Sequence, residues 1–167
     1  MMQKVLLAIL LAYLSGMSYA ACNTSNIIPT APNSRYQLLN NNSEVKDLKT
    51  NLIWQRCSLG QTWVDGSCTG MATIYTWPNA LKAAQDIGGG WRLPNIKELQ
   101  SLVERACYNL SINETIFPNT KSEDYWSSSP VAYGGSYAWV VSFYNGNGNY
   151  DGFKSSFGYV RLVRSSQ

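Results

Sequence analysis

The stretch GWRLPNIKEL, residues 90–99, contains the clearest local folding signals in the chain. Pro94 disfavours the helical conformation in the residue before it, so the first half of the stretch is predicted to be extended. Asn95 and Glu98 stand three residues apart, which is the spacing of a capping box at the start of a helix. The stretch therefore predicts an extended segment followed by a helix from Asn95 to about Ala106.

The other prominent side chains of this stretch, and of the motif YWSSS at residues 125–129, are interpreted as structural. Trp91 and Trp126 are predicted to pack in the core, with a stacking platform as the alternative for Trp126. Arg92 is predicted to pair with a carboxylate, with a ligand contact as the alternative. The serines can satisfy nearby backbone groups. Since the chain has no histidine, a Ser-His-Asp hydrolase is excluded.

Upstream of this stretch the sequence predicts a helix and a β-hairpin. Thr76 is suited to cap a helix that ends at the glycines of residues 88–90. Residues 44–48 and 52–56 are predicted to form two strands joined by a short turn. Asn51 occupies the turn position that favours a left-handed conformation.

The last third of the chain is predicted to be β-structure. Residues 139–144 form a strand with apolar side chains on both faces, so both faces are at least partly covered. Residues 145–149 are predicted to form a turn or loop, and residues 159–164 a closing strand. With two helices in the middle, the fold class is α+β: one domain at residues 35–165 whose terminal strands pair.

Residues 1–20 have the features of a secretory signal peptide. A single lysine precedes an apolar run that is too short to span a bilayer as a helix, and small residues precede the expected cleavage after Ala20. The alternatives are a membrane anchor and a lipoprotein signal that ends at Cys22. Residues 21–34 are predicted to be an arm held mainly by Cys22. The chain is therefore expected to be exported, to the periplasm, the cell surface or the medium, with no membrane span after residue 20.

Charge and ligand chemistry exclude several classes of partner. The chain has 13 basic and 10 acidic residues, a net charge of +3, which does not favour nucleic acid. Residues 145–152 alternate oxygen-bearing side chains, yet Asp151 is their one carboxylate, so a surface turn is preferred over a calcium loop. No metal and no cofactor are expected.

The four cysteines indicate two disulfides, since an even number in an exported chain is typical of a disulfide framework. Three pairings are possible. Cys57 and Cys68 enclose a short loop rich in turn residues, so their pairing is preferred. That choice leaves Cys22 to pair with Cys107.

Several motifs in a fixed order carry a resemblance to a known family. They are DLKTNLIWQRC (47–57), GQTW (60–63), CTG (68–70), GWRLPNIKEL (90–99), FPNT (117–120), YWSSS (125–129) and VRLVR (160–164). This set resembles the Lcl C-terminal domain family, named for the C-terminal domain of the Legionella collagen-like adhesin. The resemblance covers roughly residues 35–165.

The resemblance implies a C-type-lectin-like fold, related to that of formylglycine-generating enzymes, and an adhesin that binds sulfated glycosaminoglycans. Two departures limit what it implies. Asn51 stands where the family usually has glycine, a mild change because Asn tolerates the left-handed region. The sequence also has no collagen-like repeat, so avidity from trimerisation is not implied.

Aromatic side chains interleaved with Gly, Asn and Ser suggest a binding surface on residues 133–157, which are expected to be irregular. The aromatic residues are Tyr133, Tyr137, Tyr144, Tyr150, Phe153 and Phe157. Tyrosines can stack on sugar rings or contact a protein partner. The predicted ligand contacts are Tyr144 and Tyr150 as platforms, Asn147 and Asn149 for hydroxyl groups, and Lys154 for an anionic group. Trp63 either reaches the same face or packs its own loop against the core.

Three functions remain open at this point. The preferred one is an exported, non-catalytic binding module, adhesin-like, with a glycan as ligand. The second is a structural or assembly protein of a cell-surface appendage that binds a protein partner. The third is an enzyme like the formylglycine-generating relatives, which would need two cysteines free to bind copper.

Overall fold

The computed structural model of the chain describes residues 21–166. The predicted signal peptide lies outside the described residues. Within the described range, no helix has both the length and the apolar character needed to cross a membrane.

The N-terminal sheet has four antiparallel strands. They are β2 (Tyr36–Leu39), β3 (Glu44–Asp47), β4 (Leu52–Gln55) and β11 (Val163–Ser165), in the order β11-β4-β3-β2. The hairpin predicted from the sequence is present, and Asn51 has the expected positive φ of 59°. The closing strand is shorter than predicted and pairs with β4, so the end of the chain joins the sheet formed near its beginning.

The second sheet has three antiparallel strands. They are β8 (Asp124–Pro130), β9 (Tyr137–Ser142) and β10 (Asn147–Phe153), in the order β10-β9-β8. The predicted turn is present but ends at Gly146, so the prediction that the turn or loop extends to Asn149 is wrong. The prediction that residues 133–157 are irregular is also wrong, since β9 and β10 lie within them. Gly146, at a φ of 75°, allows a tight turn directly after β9, and the chain pairs again from Asn147.

Two short ribbons are associated with the disulfides. They are β1 (Ala21–Cys22) with β7 (Cys107–Tyr108), and β5 (Thr62–Val64) with β6 (Ser67–Thr69). The structure contains the predicted bonds Cys22–Cys107 and Cys57–Cys68, with Cα atoms 4.0 and 5.4 Å apart. Both separations lie below the limit of about 7 Å for a disulfide.

The two helices are α1 (Trp77–Ile87) and α2 (Ile96–Gln100). Helix α1 has the predicted bounds, although the Thr76 side chain makes no capping hydrogen bond. The prediction that the second helix reaches Ala106 is wrong. After Gln100 the backbone turns, so that Glu104 N donates to Ser111 O and Val103 bridges to Ile112. The apolar residues after α2 are therefore buried by a turn.

The capping box at the start of α2 is present as predicted. Asn95 Oδ1 accepts from Glu98 N at 2.9 Å, and Glu98 Oε2 accepts from Asn95 N at 2.8 Å. The same carboxylate binds both terminal nitrogens of Arg92 at 2.7 and 2.8 Å, which is the predicted carboxylate pairing. The loop and the helix start are thus fixed by one shared carboxylate.

The N-terminal arm is held by more than Cys22. The buried carboxylate of Glu104 accepts from Thr30 N at 3.0 Å and from Ala31 N at 2.8 Å. Asn113 Nδ2 donates to Ala31 O at 2.8 Å. The prediction that Cys22 is the main anchor is therefore corrected: backbone groups of the arm are bound along its length.

Two tryptophans differ in how completely they are buried. Trp126 is buried, as predicted, in a core cluster with α1 and β9. Trp91 borders that cluster and is only half-buried. One face of its ring is covered by the Arg164 guanidinium, at 4.9 Å from the ring centroid.

Two glycines determine how closely the backbone can approach Trp126. A Cβ on Gly152 would lie 2.8 Å from Trp126 Cζ3 and 2.8 Å from Ala138 O. A Cβ on Gly158 would lie 2.9 Å from Trp126 Nε1, which donates to Tyr75 O at 2.8 Å. The buried indole therefore needs glycine at both positions.

A buried ion pair joins the arm to the first hairpin. Arg35 Nε donates to Asp47 Oδ1 at 2.7 Å, and Thr50 Oγ1 donates to Asp47 Oδ2 at 2.7 Å. Burial by itself would raise the pKa of Asp47, but the hydrogen bonds from Arg35 and Thr50 outweigh it and hold that pKa below its ordinary value.

Replacing Asp47 by Asn should lower the free energy of unfolding at pH 7 by about 3 kcal/mol, because the buried Arg35 loses its partner. A lowered carboxylate pKa stabilises the fold above the ordinary value of about 4, and this stabilisation is lost as the pH falls through the folded-state value. The free energy of unfolding of Asp47→Asn should therefore depend less on pH below about pH 4 than that of the wild type. Urea denaturation between pH 7 and pH 2 measures both effects.

Asp86→Asn is the matched control for this experiment. Asp86 forms an exposed helix pair with Lys82 at 2.6 Å, so its replacement should change the stability by less than about 0.5 kcal/mol. Equal losses in the two variants would contradict the importance of the buried pair.

Replacing Gly152 by Ala should destabilise the domain by about 1–3 kcal/mol, since the methyl group overpacks a rigid site. The control is Gly135→Ala, where a Cβ would meet no atom within 4 Å. Thermal unfolding of the two variants gives the comparison. Identical midpoints would show that the Trp126 site relaxes without cost.

Candidate functional site

An open cleft of about 240 Å³ lies between the β8–β9 connection and strand β10. Its lining residues are Val131, Tyr133, Gly134, Tyr137, Tyr150 and Asp151. This set is named the aromatic cleft. Three phenol rings and one carboxylate therefore meet at one end of the second sheet.

The polar groups of the aromatic cleft are free to bind a ligand. Tyr133 is 86% exposed and Tyr150 is 57% exposed. Within residues 21–166, the three tyrosine hydroxyls and the Asp151 carboxylate make no hydrogen bond. Exposed tyrosines with unengaged hydroxyls can offer a ligand both an apolar face and a hydrogen-bonding tip.

A β-bulge accounts for the position of two neighbouring residues in the cleft. Successive side chains of a regular strand point to opposite faces of the sheet. The register of β10 with β9 shifts between Asn149 and Gly152, which leaves Tyr150 and Asp151 outside the regular pairing. Bulges redirect side chains, and here Tyr150 and Asp151 line the same cleft.

Two of the tyrosines that line the cleft pack against neighbouring aromatic rings. Tyr137 packs on Phe153, its cross-strand partner, with ring centroids 4.3 Å apart. Tyr150 meets Trp139 edge-on at 5.8 Å. A Cβ on Gly134 would lie 2.9 Å from Tyr137 Cδ2, so only glycine leaves this ring where it is.

The structure separates most of the predicted ligand contacts from the aromatic cleft. Tyr150 lines it, whereas Asn147 and Asn149 lie on β10 and are not among the lining residues. Tyr144 follows β9 at the other end of the hairpin, where its ring packs on Tyr108 at 4.7 Å. The two predicted platforms therefore belong to different surfaces.

Lys154 is already bound within the domain. Its Nζ donates to Gly135 O at 2.7 Å and lies 4.6 Å from the centroid of the Trp77 ring. Lys154 is not one of the residues that line the cleft.

Asp151 is the cleft residue that sequence reasoning missed, because it was considered only as a calcium ligand. Tyr133 and Tyr137 were recognised only as members of a larger aromatic group. The following Gly152 was the available signal, since an isolated glycine within a strand often marks a bulge.

Trp63 lies in a separate cleft of about 240 Å³. Its ring covers the guanidinium of the buried Arg56 at 4.0 Å and is itself half-buried. The lining residues are Ser43, Glu44, Gln55, Cys57, Gln61, Thr62 and Trp63. Trp63 thus packs its loop against Arg56 and is no part of the aromatic cleft.

Metal-ligating side chains are dispersed. Within residues 21–166 no three His, Cys, Asp or Glu side chains are placed to hold a metal ion together. All four cysteines are in disulfides.

Fold and cleft define a small disulfide-bonded α+β domain with an open aromatic cleft at the end of one sheet. The family model of the Lcl C-terminal domain matches residues 43–164. The chain therefore belongs to the Lcl C-terminal domain family, which confirms the resemblance carried by its motifs. The sequence matches none of the curated proteins with which it was compared.

Proposed function

We propose that this protein is a non-catalytic, adhesin-like module that binds glycans in the aromatic cleft at a cell surface. One observation carries the proposal: three tyrosines and a carboxylate, all with unengaged polar groups, line the same open cleft. Family membership and the two disulfides support the adhesin-like, exported part of it.

The chemistry of the cleft suits a sugar. The apolar C–H face of a pyranose ring stacks on an aromatic ring, and its hydroxyl groups bond to phenols and carboxylates. Tyrosine provides this contact area with few rotatable bonds, so little conformational entropy is lost on binding. Tyr137 and Tyr150 are further restrained by Phe153 and Trp139, which makes the cleft largely preformed.

One further feature supports a binding protein over an enzyme of the formylglycine-generating type. The copper chemistry of those enzymes needs free cysteines, and here all four cysteines are in disulfides.

An assembly role with a protein partner is the second candidate. It is favoured by Phe153 and Phe157, which are 49% and 67% exposed close to the cleft in sequence. A protein interface would cover such apolar rings more completely than a single sugar. This candidate moves ahead if glycans fail to bind.

Replacing Tyr150 by Ala should weaken glycan binding by about 1–3 kcal/mol, the usual effect of losing a central aromatic contact. The matched control is Tyr144→Ala, which removes another exposed tyrosine ring outside the cleft and should bind like the wild type. Isothermal titration of the hits from a glycan array measures both affinities. Thermal unfolding checks that each variant is folded.

Equal affinities of wild type and Tyr150→Ala for every array hit would exclude the aromatic cleft as the glycan site. A wild-type domain that binds no glycan on the array would favour the protein partner instead.

A further inference from the structure

The charge of the aromatic cleft is negative. Asp151 is the one formally charged residue among the six that line it. The nearest cation in sequence, Lys154, is held by Gly135 O and by the Trp77 ring. An anionic group placed against the tyrosines would meet an unpaired carboxylate and no lining cation.

None of the arginines of the domain lines the aromatic cleft. Three arginines form ion pairs: Arg35 with Asp47, Arg92 with Glu98, and Arg164 with Glu44. Two others, Arg56 and Arg161, are buried and donate to backbone carbonyl groups. Arg105 is exposed beside the N-terminal arm, where its backbone N–H donates to Thr30 Oγ1 at 2.9 Å. The bidentate guanidinium group that suits sulfate is therefore absent from the cleft lining.

We propose that the aromatic cleft selects an uncharged, hydroxyl-rich sugar ring and discriminates against sulfated or carboxylated sugars. The inference rests on the proposed glycan-binding function and adds its ligand class. It departs from the sulfated glycosaminoglycans that the resemblance implied.

Asp151 is the residue that sets this preference. An ionised carboxylate only accepts hydrogen bonds, and its two oxygens can take protons from two neighbouring hydroxyls of one ring. Such charge-assisted bonds are stronger than those between neutral groups. The same carboxylate repels a sulfate group bound a few ångströms away, because like charges repel.

The cleft has room for about one sugar ring. Its volume of about 240 Å³ lies below the range of about 300–1,000 Å³ typical of pockets for drug-sized ligands. The recognised unit is therefore a single ring, and the rest of an oligosaccharide would extend into solvent through the open side of the cleft.

The test compares immobilised neutral hexose-terminated oligosaccharides with the same oligosaccharides sulfated on the terminal ring. Wild type should bind the best neutral member at least tenfold more tightly than its sulfated form. Asp151→Asn should reduce that ratio at least threefold, since it removes the repulsion and weakens the hydroxyl contacts. Asp86→Asn, which changes the net charge equally on exposed α1, should leave the ratio unchanged.

The outcomes separate this inference from the proposed function. Binding of sulfated forms as tightly as neutral ones, with loss of affinity in Tyr150→Ala, overturns the ligand class and keeps the site. An unchanged ratio in Asp151→Asn overturns the role of the carboxylate. Absence of binding to either panel, or equal binding by Tyr150→Ala, overturns the proposed function itself.

Discussion

The buried guanidinium of Arg161 is the constraint on which the two halves of the domain depend. It is fully buried, stacks on the Phe117 ring at 4.8 Å, and its burial lowers its pKa. Its hydrogen-bond acceptors are the carbonyl oxygens of Gln55 and Arg56 and the hydroxyl groups of Ser58 and Thr120. None of these is a carboxylate, so the charge is stabilised only when the end of β4, the disulfide loop and the segment before β8 are all in place. Burying a charge without such partners is costly, which makes the three segments fold together.

The aromatic cleft is connected to this centre by a short series of contacts. The Tyr125 hydroxyl lies 2.7 Å from a serine hydroxyl that Arg161 also contacts, which fixes the start of β8. The next residue, Trp126, is the indole against which Gly152 must pack. Gly152 ends the bulge that turns Tyr150 and Asp151 toward the same cleft. The binding geometry therefore follows from core packing, even though the site itself is exposed.

Local signals predicted the elements whose causes are local. The capping box at Asn95, the turn at Asn51 and the short Cys57–Cys68 loop each depend on a few adjacent residues, and all are present. Predictions failed where the local conformation depends on pairing with residues that are distant in sequence. The α2 helix ends early because the backbone after it pairs with residues 111–112, and the Asn-Gly run enters a strand because β9 is there to pair with it. The cleft was foreseen only as a group of aromatics, since a bulge is defined by a register that the sequence does not display.

Net charge does not describe the cleft, for a reason visible in the structure. The chain has a small excess of basic residues, whereas the cleft lining carries one acidic residue and no basic one. Arg56 and Arg161, however, are buried scaffold residues whose charges are bound to carbonyl and hydroxyl groups, and Arg35 is neutralised by a buried carboxylate. These three arginines thus stabilise the interior, while the open cleft displays tyrosines and Asp151. For a small domain of this kind, where each charge is placed determines what it can bind, and the total charge does not.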